Sequence, residues 1–221
     1  HTGKTIWNYL AHEGVPITKR HTKSSHANAS PATDGKHLVV FFGSEGLFCF
    51  DLNGELLWKK DLGRLNAGPY NMPEIEWGMA SSPVIYKDRV VVQCDVVDQS
   101  FIAAFNIQTG EELWRKDRDE IASWGSPNVY DEGDPVQVIV NGWKHMGGYN
   151  IENGEEIWKM SGGGDAPSTT PVVAHDHFFI NNAHGRYSPI YVVNPSAKGD
   201  ITLSTEEITN DYIPWSIKRG G

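Results

Sequence analysis

Cysteine is nearly absent. The 221 residues hold two, Cys49 and Cys94, too few for the disulfide framework of a small secreted domain. Both fall in apolar runs and are expected to be buried thiols rather than a bridge. No run of 18 apolar residues occurs, so no membrane-spanning helix is predicted. Basic charge is also scarce. Lys and Arg total 19 against 28 Asp and Glu, a net charge of −9, which argues against a partner with a phosphate backbone. No segment of ten residues carries apolar positions at the 3.6-residue helical spacing. His1-Thr2-Gly3 has neither the basic start nor the apolar stretch of a signal peptide. Chemistry-bearing motifs are missing as well. There is no nucleophile elbow, no glycine-rich phosphate loop, no close carboxylate pair and no His-x-x-x-His or Cys-x-x-Cys spacing. A metal site would have to be assembled across distant segments, with His26, His145 and His184 as the available imidazoles, and none is predicted.

What the chain has instead is a repeat. Leu38 to Trp58 reads as three short apolar runs separated by turns at Gly43–Gly46 and Asn53-Gly54. Asn and Gly accept positive φ most readily and so favour tight hairpins. The last hairpin recurs as Thr109-Gly110-Glu111-Glu112-Leu113-Trp114 and Asn153-Gly154-Glu155-Glu156-Ile157-Trp158, with an early copy at Thr2-Gly3-Lys4-Thr5-Ile6-Trp7. Trp7, Trp58, Trp114 and Trp158 stand 51, 56 and 44 positions apart, the period of one propeller blade. Ser30-Pro31, Ser82-Pro83, Ser126-Pro127 and Thr170-Pro171 keep the same beat and open each unit. Each repeat therefore reads as one four-stranded antiparallel sheet, which must stack on its neighbours to bury both faces.

The fold class predicted is all-β: an incomplete β-propeller in one domain over residues 1–221, with blades near 30–60, 81–116, 126–160 and 170–208. Residues 1–10 are expected to be the outer strand of a preceding blade, as the chain begins inside a repeat. Blade four breaks the pattern, because Asn194-Pro195-Ser196-Ala197-Lys198-Gly199 stands where the tight turn belongs and no Trp follows it directly. Tyr212-Ile213-Pro214-Trp215-Ser216 is read as the start of a fifth, unfinished blade. Open end sheets would be a liability, so either further blades or a second copy is expected to complete the ring.

The signature Asp51-x-Asn53-Gly54-x-x-x-Trp58, with its copies ending in Trp114 and Trp158, resembles the pyrroloquinoline-quinone (PQQ)-type β-propeller repeat. That repeat is shared by quinoprotein dehydrogenases and by outer-membrane assembly lipoproteins of the BamB type. The chain most resembles BamB-like and PQQ-binding-like propeller proteins of bacteria, over about residues 1–208. The resemblance implies an exported or periplasmic protein. Its Gly and Trp positions build hairpins and hold blades together, so they speak for fold rather than for activity.

Connectivity alone sorts the loops. In a four-stranded meander the first and third turns lie at one end, and the second turns and blade connections at the other. The first end receives ordinary hairpin residues such as Asp34-Gly35-Lys36 and His175-Asp176-His177. The opposite end receives His21, His26, Asn28, Glu76, Trp77, Asp95, Trp124, Trp143, Lys144, His145, Asn182, His184 and Arg186. Binding residues concentrate on loops held by a rigid scaffold. The candidate ligand site is therefore a shallow pocket at that end, with Trp77 and Trp124 as walls and His26, Lys144, His145, His184 and Arg186 as polar contacts. Its ligand is expected to be small and polar or anionic, or to be a protein partner.

Two functions follow. The first is a non-enzymatic binding or assembly scaffold. The second is a quinoprotein oxidoreductase acting on alcohols or sugars and binding PQQ and calcium. By resemblance, such enzymes use adjacent cysteines, a Trp beneath the quinone, a catalytic Asp and Glu/Asn calcium ligands. The chain holds no Cys-Cys pair, and the scaffold is the expectation, with no catalytic residue assigned.

Overall fold

The computed structural model describes residues 2–69, 71–182, 184 and 188–219. Four antiparallel sheets follow one another along the chain. The first holds β1 (Ala32–Thr33), β2 (His37–Phe41), β3 (Leu47–Asp51) and β4 (Leu56–Lys60). The second holds β5 (Val84–Tyr86), β6 (Arg89–Cys94), β7 (Ser100–Asn106) and β8 (Glu112–Arg118). The third is built on β9 (Asn128–Tyr130), β10 (Gln137–Val140), β11 (Met146–Asn150) and β12 (Glu156–Met160). The fourth begins with β13 (Val172–Ala174), β14 (His177–Asn181) and β15 (Ile190–Val193).

The third hairpin of sheets one to three shows why the Asx/Thr-Gly signature recurs. Asp51 and Asn150 accept amide hydrogen bonds from residues two positions on, and Asn106 accepts from both Gln108 and Thr109. Each chain then turns at Gly54, Gly110 or Gly154, with φ of 88°, 68° and 71°. A bulge follows at Cys49/Phe50, Ala104/Phe105 and Gly148/Tyr149, giving each outer strand the same offset. Those glycines have a second role. Trp58 lies over Gly110 and Trp114 over Gly154, so close that a Cβ built on Gly110 would sit 2.7 Å from the Trp58 ring. The Trp58 indole donates to the Ile107 carbonyl at 2.7 Å and the Trp114 indole to Ile151 at 2.9 Å.

Three apolar layers fill the gaps between sheets. Val39, Phe41, Leu47, Cys49 and Trp58 pack against Val90, Val92, Cys94, Ala103 and Phe105. Val91, Ile102, Ala104 and Trp114 face Val138, Val140, Tyr149 and Ile151. Ile139, Met146, Trp158 and Met160 face Phe178, Ile180, Tyr191 and Val193. Trp58, Trp114 and Trp158 are 8%, 7% and 0% exposed. Burying a large aromatic in every layer is what holds sheet to sheet. The ring they form is not closed.

Two expectations at the ends are corrected. Residues 2–10 form no strand. They run as an extended strap over the first sheet, where Trp7 still takes the seat at Gly54 and donates to Leu52 at 3.1 Å. At the other end Trp215 does not open a fifth blade. After β15 the Asx turn starts normally, with the Ser196 amide on Asn194 Oδ1. The chain then crosses to the third sheet, where β16 (Gly199–Asp200) pairs parallel with Trp158 and Lys159. It returns as β17 (Trp215–Ile217), antiparallel to β15, and completes the fourth sheet. The detour displaces one docking contact. Trp158 donates to the side chain of Gln137 at 3.0 Å, and Gln137 donates in turn to the Pro195 carbonyl at 2.9 Å. A glutamine relay thus replaces the direct indole–carbonyl bond.

Candidate functional site

The connection between the first two sheets, residues 61–83, is long, and Glu76 pins it. Glu76 is buried and accepts from the Lys19 amide at 2.6 Å and from Arg64. Burial works to raise the Glu76 pKa, but the Lys19 amide and Arg64 guanidinium outweigh it and hold the carboxyl below its ordinary range. Trp77, next in the chain, is fixed through its backbone: its amide donates to Ala67 and its carbonyl accepts from His21, at 3.1 and 3.0 Å.

Trp124 comes from the connection between the second and third sheets. Its amide donates to the Pro167 carbonyl at 2.7 Å and its indole to the Gly78 carbonyl at 2.8 Å. The two indoles meet at 5.5 Å between centroids, tilted by 36°, and the His21 ring stands edge-on to Trp77 at 5.6 Å. This aromatic pair is the shared wall of two adjoining cavities. One, of about 160 Å³, is closed by Met72, Ile121, Trp143 and Asp165. The other, of about 360 Å³, opens toward His21, Ser24, Asn28 and Ser168. Ala166 and His184 border both. The surface is chiefly apolar, with polar groups at its rim.

Of the residues singled out in the sequence, the structure brings Trp77, Trp124 and His184 together. His184 is exposed, and its Nδ1 lies 3.2 Å from Asp165. Lys144 and His145 line neither cavity. Lys144 is held by Asp119, and His145 lies with Nδ1 4.0 Å from Glu120. His26 is half-buried and borders neither cavity. Arg186 lies outside the described residues. Of the four expected polar contacts among the described residues, His184 borders the two indoles, and His26, Lys144 and His145 do not. His21, which the sequence placed at this end without a role, is the imidazole that stands against Trp77.

Beside the cavities lies a buried ionic cluster that no motif announced. Arg118 donates to Asp95 at 2.8 Å and to the Tyr149 hydroxyl at 2.7 Å, while Gln93 and Ser123 donate to Asp95, each at 2.7 Å. Glu120 lies 3.8 Å from Arg118 and accepts the backbone amides of Trp143, Lys144 and His145. Two carboxylates thus share one guanidinium, although the sequence shows no close acidic pair, because residues 95 and 120 meet only when β6 and β8 end at the same rim. Burial pushes the Glu120 pKa up, against the pull of Arg118. The cluster fixes the loop that carries Trp143 to the cavity.

Cys49 and Cys94 are free, buried thiols in the first two sheets; burial pushes Cys49 up to about 11 and Cys94 higher still. Among the described residues no three His, Cys, Asp or Glu side chains converge as a metal site. Among the described residues no helix is long and apolar enough to cross a membrane.

The family model described as "Outer membrane protein assembly factor BamB", a PQQ-repeat model, matches residues 1–219. The chain belongs to this family. Solved structures share its propeller fold at low identity. BamB from Moraxella catarrhalis matches with a TM-score of 0.51 and 16% identity, over 72% of this chain and 46% of its own. Quinohemoprotein alcohol dehydrogenase from Comamonas testosteroni gives 0.62 and 12%, over 91% and 35%. The C-terminal domain of PilY1 from Pseudomonas aeruginosa gives 0.55 and 12%, over 81% and 52%. The chain thus spans about a third to a half of these relatives, and the likeness speaks for fold alone. No curated protein matches the sequence. Family membership accounts for the docking tryptophans; the Trp77–Trp124 cavities are argued from their own geometry.

Proposed function

We propose that the chain is a binding and assembly module, exported like the bacterial relatives it resembles, that engages a protein partner through the Trp77–Trp124 cleft. One observation carries this reading. Two indoles anchored by backbone hydrogen bonds form an apolar wall at the loop-rich end, with His21, Ser24, Asn28 and His184 around it. Fixed aromatic rings in a half-enclosed pocket are the usual anchors of recognition, since they bury large area at little cost in side-chain entropy. An apolar or aromatic side chain of the partner fits the wall, and the rim groups orient its backbone. A small anionic ligand is supported less, since Lys144 is already engaged by Asp119.

Fluorescence titration with peptides bearing Phe, Tyr or Leu tests the reading. Binding should shift the tryptophan emission, and Trp77→Ala should abolish the shift while leaving the melting temperature nearly unchanged. A set of peptides that binds wild type and Trp77→Ala equally would remove the cleft from the account. Reconstitution with PQQ and Ca²⁺ separates this function from the oxidoreductase. The scaffold reading expects no quinone absorbance band and no dye-linked alcohol oxidation, and the appearance of both would overturn it.

A further inference from the structure

The smaller of the two adjoining cavities is built as an aromatic cage. Its volume is about 160 Å³, and three indoles line it: Trp77, Trp124 and Trp143. The Trp77 and Trp124 centroids are 5.5 Å apart, so one guest against their wall reaches both rings. The Trp124 ring is fixed by its N–H, which donates to the Gly78 carbonyl at 2.8 Å. Trp77 is held through its backbone by Ala67 and His21. Trp143 sits on the loop whose amides at Trp143, Lys144 and His145 donate to the Glu120 carboxylate. The three rings thus come from two blade connections and one hairpin loop, each separately anchored.

The fixed charge at this cavity has one sign. Among its described lining residues Asp165 is the single Asp, Glu, Lys or Arg, and its side chain is 51% exposed. Asp165 Oδ2 lies 3.2 Å from His184 Nδ1, while Oδ1 has no partner among the described residues. Lys144, on the same loop as Trp143, is engaged by Asp119 and lines neither cavity. The larger cavity has no Asp, Glu, Lys or Arg among its described lining residues. Three electron-rich rings beside one carboxylate, in a protein of net charge −9, favour a cation.

We propose that this smaller cavity binds a quaternary ammonium compound of the choline type. The proposal rests on the reading of the Trp77–Trp124 wall as a binding surface, and gives the smaller cavity a ligand of its own. A cation within about 6 Å of an indole centroid is attracted to the negative face of the ring. A trimethylammonium group spreads its charge over an apolar surface, so it loses water readily and meets the rings with its methyls. It carries no N–H, so no donor is left unsatisfied among the indoles. A primary ammonium is the opposite case, strongly hydrated and with three donors to satisfy. Size agrees as well, because a cavity of about 150 Å³ holds a benzene-sized guest. Asp165 supplies the counter-charge.

Titration calorimetry on the full chain tests the proposal, with choline, its uncharged carbon isostere 3,3-dimethylbutan-1-ol, ethanolamine and guanidinium as probes. Choline should bind roughly tenfold tighter than the isostere, since only the cation gains from the rings. Ethanolamine and guanidinium should bind more weakly than choline. Trp77→Leu keeps the wall apolar but removes a π face, and should erase most of the advantage of choline over the isostere. Asp165→Asn, at an exposed position, should weaken choline several-fold while Phe, Tyr and Leu peptides bind as before. It carries the test alone if Trp77→Leu lowers the melting temperature. An isostere, ethanolamine or guanidinium that binds as tightly as choline overturns the proposal. So does choline binding that is absent, or indifferent to Asp165→Asn. Peptides that still bind in any of those cases leave the cleft reading standing, so the two readings fail separately.

Discussion

Gly110 joins local geometry to long-range packing in one residue. Its φ of 68° suits glycine, and the Trp58 ring fills the space where a Cβ would go. Gly110→Val should destabilise the chain by about 1–3 kcal/mol, from backbone strain and the displaced indole. Urea denaturation measures this, and a variant as stable as wild type would remove both reasons. Asp34 offers a residue-scale test in pH. Burial tends to raise its pKa, but the His37 ring and the amides of His37 and Lys36 outweigh that and hold it at about 2, against an ordinary value of 3.8. A carboxyl whose folded pKa is depressed adds stability above its unfolded value and loses it as pH falls through the folded one. Asp34 therefore contributes above about pH 4, and that contribution fades toward pH 2. The pair lies at the surface, so its contribution is small. Asp34→Asn should flatten the acid limb of the melting-temperature profile between those values, and an unchanged limb would contradict the assignment.

At the scale of elements, the repeated hairpin was legible because its chemistry is local. An Asx or Thr side chain, a glycine and a tryptophan within eight residues announce turn, bulge and docking ring together. Trp114→Ala should cost about 3–5 kcal/mol, as it empties the layer between the second and third sheets; thermal and chemical denaturation would show it. The loop at 141–145 is a different case. Its order rests on Glu120, which no spacing rule connects to it. Glu120→Ala should leave the amides of Trp143, Lys144 and His145 unsatisfied, at a cost of about 1–3 kcal/mol, and speed their hydrogen exchange. Unchanged exchange at those amides would show that the loop is held by other contacts. The fourth sheet misled for a related reason: its last strand arrives only after the chain has added a strand to the third sheet, and linear spacing does not report such a detour.

Across the whole molecule, stability should follow position in the stack. The second and third sheets are covered on both faces, whereas the first carries only the strap and the fourth leaves Val172, Trp215 and Ile217 open. Native-state hydrogen exchange should therefore protect β6, β7, β10 and β11 most, and β13, β17 and residues 2–17 least. Equal protection of β17 and β7 would refute this order. The charge of −9 belongs to this scale too, and sets no feature of the fold.

The sequence by itself determined the blade and its repetition, since a propeller is written in contacts between residues close in the chain and in a periodic glycine and tryptophan. It also sorted the loops to two ends, because meander connectivity leaves no other arrangement. Only tertiary structure decided which of those loop residues meet. Trp77 and Trp124 converge because Gly78 and Pro167 hold their polar groups from different connections. Lys144 and His145 are drawn instead toward Asp119 and Glu120. Tertiary structure also decided that Trp215 closes the fourth sheet and faces solvent. Side-chain direction on an irregular loop, and the return of a strand after a long excursion, depend on partners far away in the chain. The physical reason is that hairpin geometry is set by dihedral preferences within a few residues, whereas convergence at a site is set by packing among all of them.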